Sequence, residues 1–146
     1  EALPPMAGSI GGVLTQCAAI AASLLADQRE IGPLHGDVHH DNILDFGSRG
    51  WLVIDPKRLV GDRGFDYANL FCNPDVEEPW LPVAVLPERY LSRLAIVVDD
   101  AKLERRRLLS WIIAYTGLSA AWCMGDGLSA EVDLRIAELA LAEIDR

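Results

Sequence analysis

The sequence predicts a mainly α chain carrying one small β-hairpin, an α+β fold, on three observations. Apolar residues recur at i, i+3 and i+4 spacing in four separate stretches, the pattern of helices that bury one face. Between the first and second of these, two short apolar runs, Ile43 to Phe46 and Trp51 to Ile54, flank Gly47-Ser48-Arg49-Gly50, which reads as a hairpin turn. The 146 residues, half hydrophobic and a quarter charged, fit one globular domain over residues 1–146.

Taken in order, Glu1 to Met6 is a Pro-containing lead-in. Ser9 caps a helix marked by Val13, Leu14, Cys17, Ile20, Ala21, Leu24 and Leu25, weakened in its first turn by Gly11 and Gly12 and over before Gly32-Pro33. After the hairpin, Lys57 to Gly64 reads as a loop, and a short helix opens at Phe65-Asp66, with Asp66 as its N-cap, and stops at Asn73-Pro74. The segment from Asp75 to Pro82 is acidic and broken by prolines. Pro87 fits the first turn of a helix carrying Tyr90, Leu91, Leu94 and Ile96 to Val98. Asp99-Asp100 is expected to cap the next helix, with Leu103, Leu108, Ile112 and Tyr115 on its apolar face, Gly117 as a bend, and Gly125-Asp126-Gly127 as its end. Ser129 caps a last helix with Val132, Ile136, Leu139, Ala140 and Ile144 inward.

A net charge of -9 argues against a nucleic-acid partner, which needs a basic face, and suits a cationic ligand in an acidic cleft. Cys17, Cys72 and Cys123 are odd in number, widely spaced and without a Cys-x-x-Cys pair, so reduced thiols in a cytoplasm fit better than a disulfide framework or a zinc ribbon. The apolar stretches Cys17 to Ala26 and Trp111 to Cys123 look too short to cross a membrane, and no leader pattern opens the chain. Glu1 in first place, rather than Met, suggests a fragment or a processed start.

The chemistry concentrates in one stretch. Leu34 to Leu44 places His35, Asp37, His39, His40, Asp41 and Asn42 ahead of the hairpin, and Asp55 follows its far strand. Antiparallel pairing returns Asp55 toward Asn42, so two oxygen ligands meet at one mouth with Asp37 on the loop beside it.

His35-Gly36-Asp37 through Asn42, followed after a hairpin by Asp55, resembles the catalytic loop and magnesium aspartate of the protein-kinase-like fold. Gly36 in place of Arg, and Pro56-Lys57 in place of Phe-Gly, depart from protein kinases and point to small-molecule kinases of the aminoglycoside phosphotransferase type. With Ile54-Asp55-Pro56-Lys57 and the stretch Gly61 to Leu70, the wording is similar to the aminoglycoside/hydroxyurea resistance kinases, the family of streptomycin 6-phosphotransferase. The motifs cover residues 33 to 75. The resemblance implies that Asp37 accepts the proton of a substrate hydroxyl, that Asn42 and Asp55 hold Mg2+ against the phosphates of ATP, and that His35 and Asp66 brace the loop. It also implies that the chain is the C-terminal lobe of such a kinase. No Gly-rich strand pair and no strand lysine precede His35, so the N-terminal lobe is a missing partner, and this piece alone should bind nucleotide poorly.

Lys57 and Arg63 either reach a phosphate or pair with acidic neighbours. Asp75, Glu77 and Glu78, with Trp80, either contact a cationic sugar or form a solvated loop. The function expected is ATP-dependent phosphorylation of an aminoglycoside hydroxyl, streptomycin-like, conferring resistance. Alternatives are another small alcohol or amine as acceptor, a truncated lobe that binds without catalysis, and a metal-dependent phosphoesterase using Asp37-Val38-His39 and Gly61-Asp62. The last is short of histidines, since none follows His40.

Overall fold

The computed structural model describes residues 9–74 and 83–146. Ser9 opens helix α1 (Ile10–Ala26): its backbone is extended and its Oγ accepts from Gly12 N, one of the donors left over at a helix start. Val13, Cys17 and Leu24 are buried along one stripe, while Leu25 lies on the wet side. Strands follow at β1 (Ile31–Leu34), β2 (Ile43–Asp45), β3 (Trp51–Val53) and β4 (Leu59–Asp62).

The expected hairpin is β2 with β3, in the register Ile43↔Val53, Leu44↔Leu52 and Asp45↔Trp51, closed by a 3-10 turn at Gly47–Arg49. Gly47 and Gly50 both have positive φ, the conformation a tight reversal requires. A second antiparallel pair was not expected. β1 and β4 align Ile31↔Asp62 through Leu34↔Leu59, so the middle of the stretch read as a loop is a strand. This pair closes a ring around the hairpin: chain leaves β1, passes the polar loop and β2–β3, and returns beside its starting point in β4.

The helical layer follows in α2 (Gly64–Asn69), continued by a 3-10 turn at Leu70–Cys72, then α3 (Pro87–Ala101), α4 (Arg105–Gly125) and α5 (Glu131–Glu143). Pro87 stands at the first turn of α3, as predicted. Leu91 and Ile96 of that helix are exposed, and Tyr90, Leu94 and Val97 do the packing. Asp99 and Asp100 do not cap α4. They lie in the last turns of α3, Lys102 takes a left-handed conformation that stops the helix, and Glu104 caps α4 by accepting from Arg106 N. Ser129 sits one residue ahead of the α5 cap position Ala130 and accepts from Glu131 N.

Helix α4 is the axis, packed against α1, α2 and α5. Leu108, Leu109, Ile112, Ile113 and Ala120 are fully buried on it, and Thr116 returns its hydroxyl to the carbonyls of Ile112 and Ile113. At 21 residues it is long and apolar enough to cross a membrane by length and composition, against the sequence expectation, and its burial inside the helical layer accounts for that apolarity. Gly117 serves contact rather than a bend: a Cβ there would stand 2.3 Å from Cys17 Cβ of α1. No disulfide is present among the described residues, which include all three cysteines.

Candidate active site

The site begins with how α2 is aimed. Gly64 lies so close to Trp111 of α4 that a Cβ would meet its ring at 2.2 Å. Phe65 packs edge-on against Trp111 and Tyr115, with centroids 6.2 and 5.3 Å away. Anchored there, the next residue, Asp66, points at the polar loop. Its Oδ2 accepts from His35 N (2.8 Å) and its Oδ1 from Gly36 N (2.7 Å), two charge-assisted bonds that fix where the loop starts. Asp66 is therefore not the N-cap; that position is Arg63, and Asp66 stands inside the first turn.

His35 supplies the second brace. Asp37 N donates to His35 Nδ1 (3.3 Å), so Nε2 carries the proton and donates it to Ile54 O (2.7 Å). Lys57 N donates to His35 O (2.7 Å) and Ile54 N to Asn42 O (2.9 Å). Three bonds thus tie the loop to the segment around Asp55 from both sides.

Inside this clamp the sequence-predicted residues converge. Asn42, buried at the end of a 3-10 turn, donates through Nδ2 to Asp37 O (2.9 Å) and Asp37 Oδ2 (3.3 Å), and meets His39 Nε2 at 3.0 Å. Lys57 Nζ lies 2.5 Å from Asp55 Oδ2 and 3.3 Å from Asp37 Oδ2. The hydrogen bond and charge of Lys57 hold the Asp55 carboxyl below its ordinary range, and the bonds to Asp55 and Asp37 push the Lys57 ammonium up. Lys57 and Arg63 both pair with acids: Arg63 joins Glu30 and donates to Ala101 O (2.9 Å), away from the site.

Asp55 and Asn42 are the residues that would hold a magnesium ion here, each supplying one oxygen and leaving the rest of the shell to waters and phosphate. Among the described residues no group of three or more His, Cys, Asp or Glu side chains is arranged to hold a metal by itself. Asp62, a ligand in the phosphoesterase reading, is buried and committed to Arg107, Arg29 N (2.9 Å) and Gly64 N (2.9 Å). Asp75, Glu77 and Glu78 lie outside the described residues.

Sequence reasoning offered Lys57 an acidic neighbour without saying which, and missed that it joins two of the predicted acids; it also missed the Asp62–Arg107 pair that locks β4 to α4. The signal for the first was present in the lack of any lysine or arginine from His35 to Asn42, which leaves the acids to find a cation elsewhere.

Comparison of the sequence with known proteins shows its family. The family described as aminoglycoside/hydroxyurea antibiotic resistance kinase matches residues 5–127. Streptomycin 3''-kinase of Klebsiella pneumoniae is 54% identical over 136 residues, which cover 90% of this chain and 51% of the relative. Streptomycin 6-kinase of Streptomyces griseus is 31% identical over 107 residues, covering 71% and 33%, and hydroxyurea phosphotransferase of Kitasatospora aureofaciens is 31% identical over 134 residues, covering 90% and 35%. The chain spans about half the length of the first of these and about a third of the other two. No solved structure matches it.

Proposed function

This chain belongs to the aminoglycoside/hydroxyurea antibiotic resistance kinase family, and we propose that it is the C-terminal lobe of an enzyme that phosphorylates a streptomycin-type aminoglycoside at a hydroxyl, with ATP as donor. The observation that carries the reading is the convergence of Asp37, Asn42 and Asp55 inside a clamp made by His35 and Asp66. Phosphoryl transfer rests on position and charge, so a few rigidly held polar groups are enough.

In this reading Asp37 accepts a hydrogen bond from the acceptor hydroxyl, aims its oxygen at the γ-phosphorus and takes the proton as the new P–O bond forms. Asn42 holds the Asp37 carboxylate in place and, with Asp55, offers oxygens to magnesium. Bound there, the ion would neutralise charge on the β- and γ-phosphate oxygens. His35 and Asp66 touch no reacting atom and keep the loop in register.

The exposed apolar residues of the two strand pairs support a partner lobe. Trp51, Val53, Ile31 and Val60 are 71%, 53%, 60% and 75% exposed, a concentration that soluble chains keep for contacts. We place the enzyme in the cytoplasm, where ATP is found. The identity of 54% to a 3''-kinase against 31% to a 6-kinase favours the 3'' hydroxyl as the acceptor.

The test is ATP-dependent phosphorylation of streptomycin by the full-length protein and by Asp37→Ala, with other aminoglycosides and hydroxyurea beside it and the product's position read by NMR. Transfer to streptomycin that is lost in Asp37→Ala supports the reading. No transfer to any aminoglycoside by protein that binds ATP and magnesium would refute the substrate, and activity retained in Asp37→Ala would refute the base.

A further inference from the structure

Lys57 is held too deliberately for a surface lysine. Its backbone N–H is bonded to His35 O, and its ammonium lies between Asp55 Oδ2 (2.5 Å) and Asp37 Oδ2 (3.3 Å). Room for it comes from Gly36, whose φ is +83 and whose missing Cβ would stand 3.2 Å from Lys57 Cβ and 2.8 Å from Leu59 Cδ1. The two departures from the protein-kinase wording, Gly36 for Arg and Lys57 for Gly, are therefore in contact. A glycine in the loop admits a lysine from the segment after Asp55.

That lysine sits on one oxygen of the carboxylate a metal would use, so an ion at Asp55 meets the ammonium's charge at whichever oxygen it takes. Asp55 is the one carboxylate in the proposed magnesium pair, and an ammonium and a divalent cation cannot share one of its oxygens at bonding distance without strong repulsion. The loop itself, His35 to Asn42, has no lysine or arginine. Among the described residues Lys57 is the one lysine or arginine within 4 Å of either Asp37 or Asp55.

We propose that Lys57 is a built-in counter-ion and positioning residue. It competes with the divalent ion for Asp55 when no nucleotide is bound, and keeps the Asp37 carboxylate oriented once Asp55 has turned to the metal. The inference rests on the kinase reading of Asp37 and Asp55 given above. On binding of a metal-nucleotide, Lys57 gives up the shorter of its two bonds and retains Asp37, beside the place where the hydroxyl meets the phosphate. This makes metal uptake weak without nucleotide and coupled to it when nucleotide arrives.

The experiment uses Mn2+ as the probe and the full-length protein, with free Mn2+ measured by electron paramagnetic resonance. The proteins are wild type, Lys57→Met, Lys57→Arg and the double variant Asp55→Asn with Lys57→Met. In the absence of nucleotide, Lys57→Met should bind Mn2+ roughly ten- to thirtyfold more tightly than wild type, the scale of one positive charge removed from within a few ångströms of a divalent ion in high dielectric. Lys57→Arg, which keeps the charge, should stay near wild type, and the double variant should lose the gain. Turnover of Lys57→Met should fall while its KM for the acceptor changes little. A merely structural lysine would weaken metal binding or leave it unchanged, so either result in Lys57→Met overturns the proposal. If wild type binds no Mn2+ even with ATP present, the metal reading of Asp55 fails first and this inference with it. If wild type binds Mn2+ with ATP and Lys57→Met shows no gain without it, the inference alone fails.

Discussion

Removing the Asp66 carboxylate should loosen the loop without touching any reacting atom. Its two oxygens accept from His35 N at 2.8 Å and Gly36 N at 2.7 Å. A hydrogen bond to a charged group contributes about 1.5–3 kcal/mol, so the pair has an upper value of about 3–6 kcal/mol. Both N–H groups are only part-buried, and water can take over some of the bonding in Asp66→Ala. The expected cost is therefore at or just below the bottom of that range, about 2–3 kcal/mol. In urea this appears as a midpoint lower by about 1 M with an unchanged m, because the surface exposed on unfolding is the same. Activity should suffer more than stability. A loop start released from α2 lets Asp37 drift, and a displacement of about 1 Å at a reacting group lowers the rate on the order of a hundredfold. Assayed well below its melting temperature, full-length Asp66→Ala should lose kcat on that scale. Asp66→Asn should rescue little, since one of its two atoms is a donor facing a donor. Stability within about 0.5 kcal/mol of wild type together with kcat within twofold would refute the clamp.

Three further outcomes follow from the same geometry. Gly36→Ala puts a Cβ 2.8 Å from Leu59 Cδ1 at a positive φ, and should cost about 1–3 kcal/mol by thermal or urea unfolding. Burial raises the Asp62 carboxyl, but Arg107 and the N–H groups of Arg29 and Gly64 outweigh it, so its folded pKa lies below the ordinary 3.8. Its stabilisation is then fully present above the unfolded value and lost as pH falls through the folded one; Asp62→Asn should flatten the stability profile below about pH 4 and cost about 3–5 kcal/mol at neutral pH. Ile112→Ala, at a fully buried site in α4, should cost about 2–5 kcal/mol with no change in the Mn2+ affinity of the site.

The helices were legible because each buries one stripe, and a stripe of period 3.6 survives in sequence whatever it packs on. Val13, Cys17 and Leu24 or Ile136 and Ala140 could be picked out that way. A short strand ahead of the polar loop was legible, but β4 and its pairing with β1 were not, the two being four residues long and broken by Gly32-Pro33 and Gly61, residues that read as loop punctuation. The cap of α4 was misplaced for a related reason: two adjacent aspartates look like a cap, but the chain breaks later, where Lys102 goes left-handed. At the site, the residue types and the hairpin were enough to bring Asp37, Asn42 and Asp55 together, whereas the bridge from Lys57 depends on a ring closure by β1 and β4 that no local pattern encodes.

Backbone conformation explains why that closure matters. Asp55 and Arg58 have φ of 61 and 58, left-handed values that cost a non-glycine residue of order 1 kcal/mol each. They flank Pro56-Lys57 and let the chain turn sharply out of β3 and into β4 within a few residues. Were the segment free, it would relax to ordinary φ and carry the Asp55 carboxylate away from Asn42. It is held because Ile54 is bonded at both ends, through its N–H to Asn42 O and its carbonyl to the His35 ring, while Lys57 N–H is bonded to His35 O. The strain sits between two anchored points, so the energy that keeps Asp55 in place is supplied by the loop that carries Asp37. Loosening either one should displace the other, so the spacing of the two acids is set by the backbone bonds at Ile54 and Lys57.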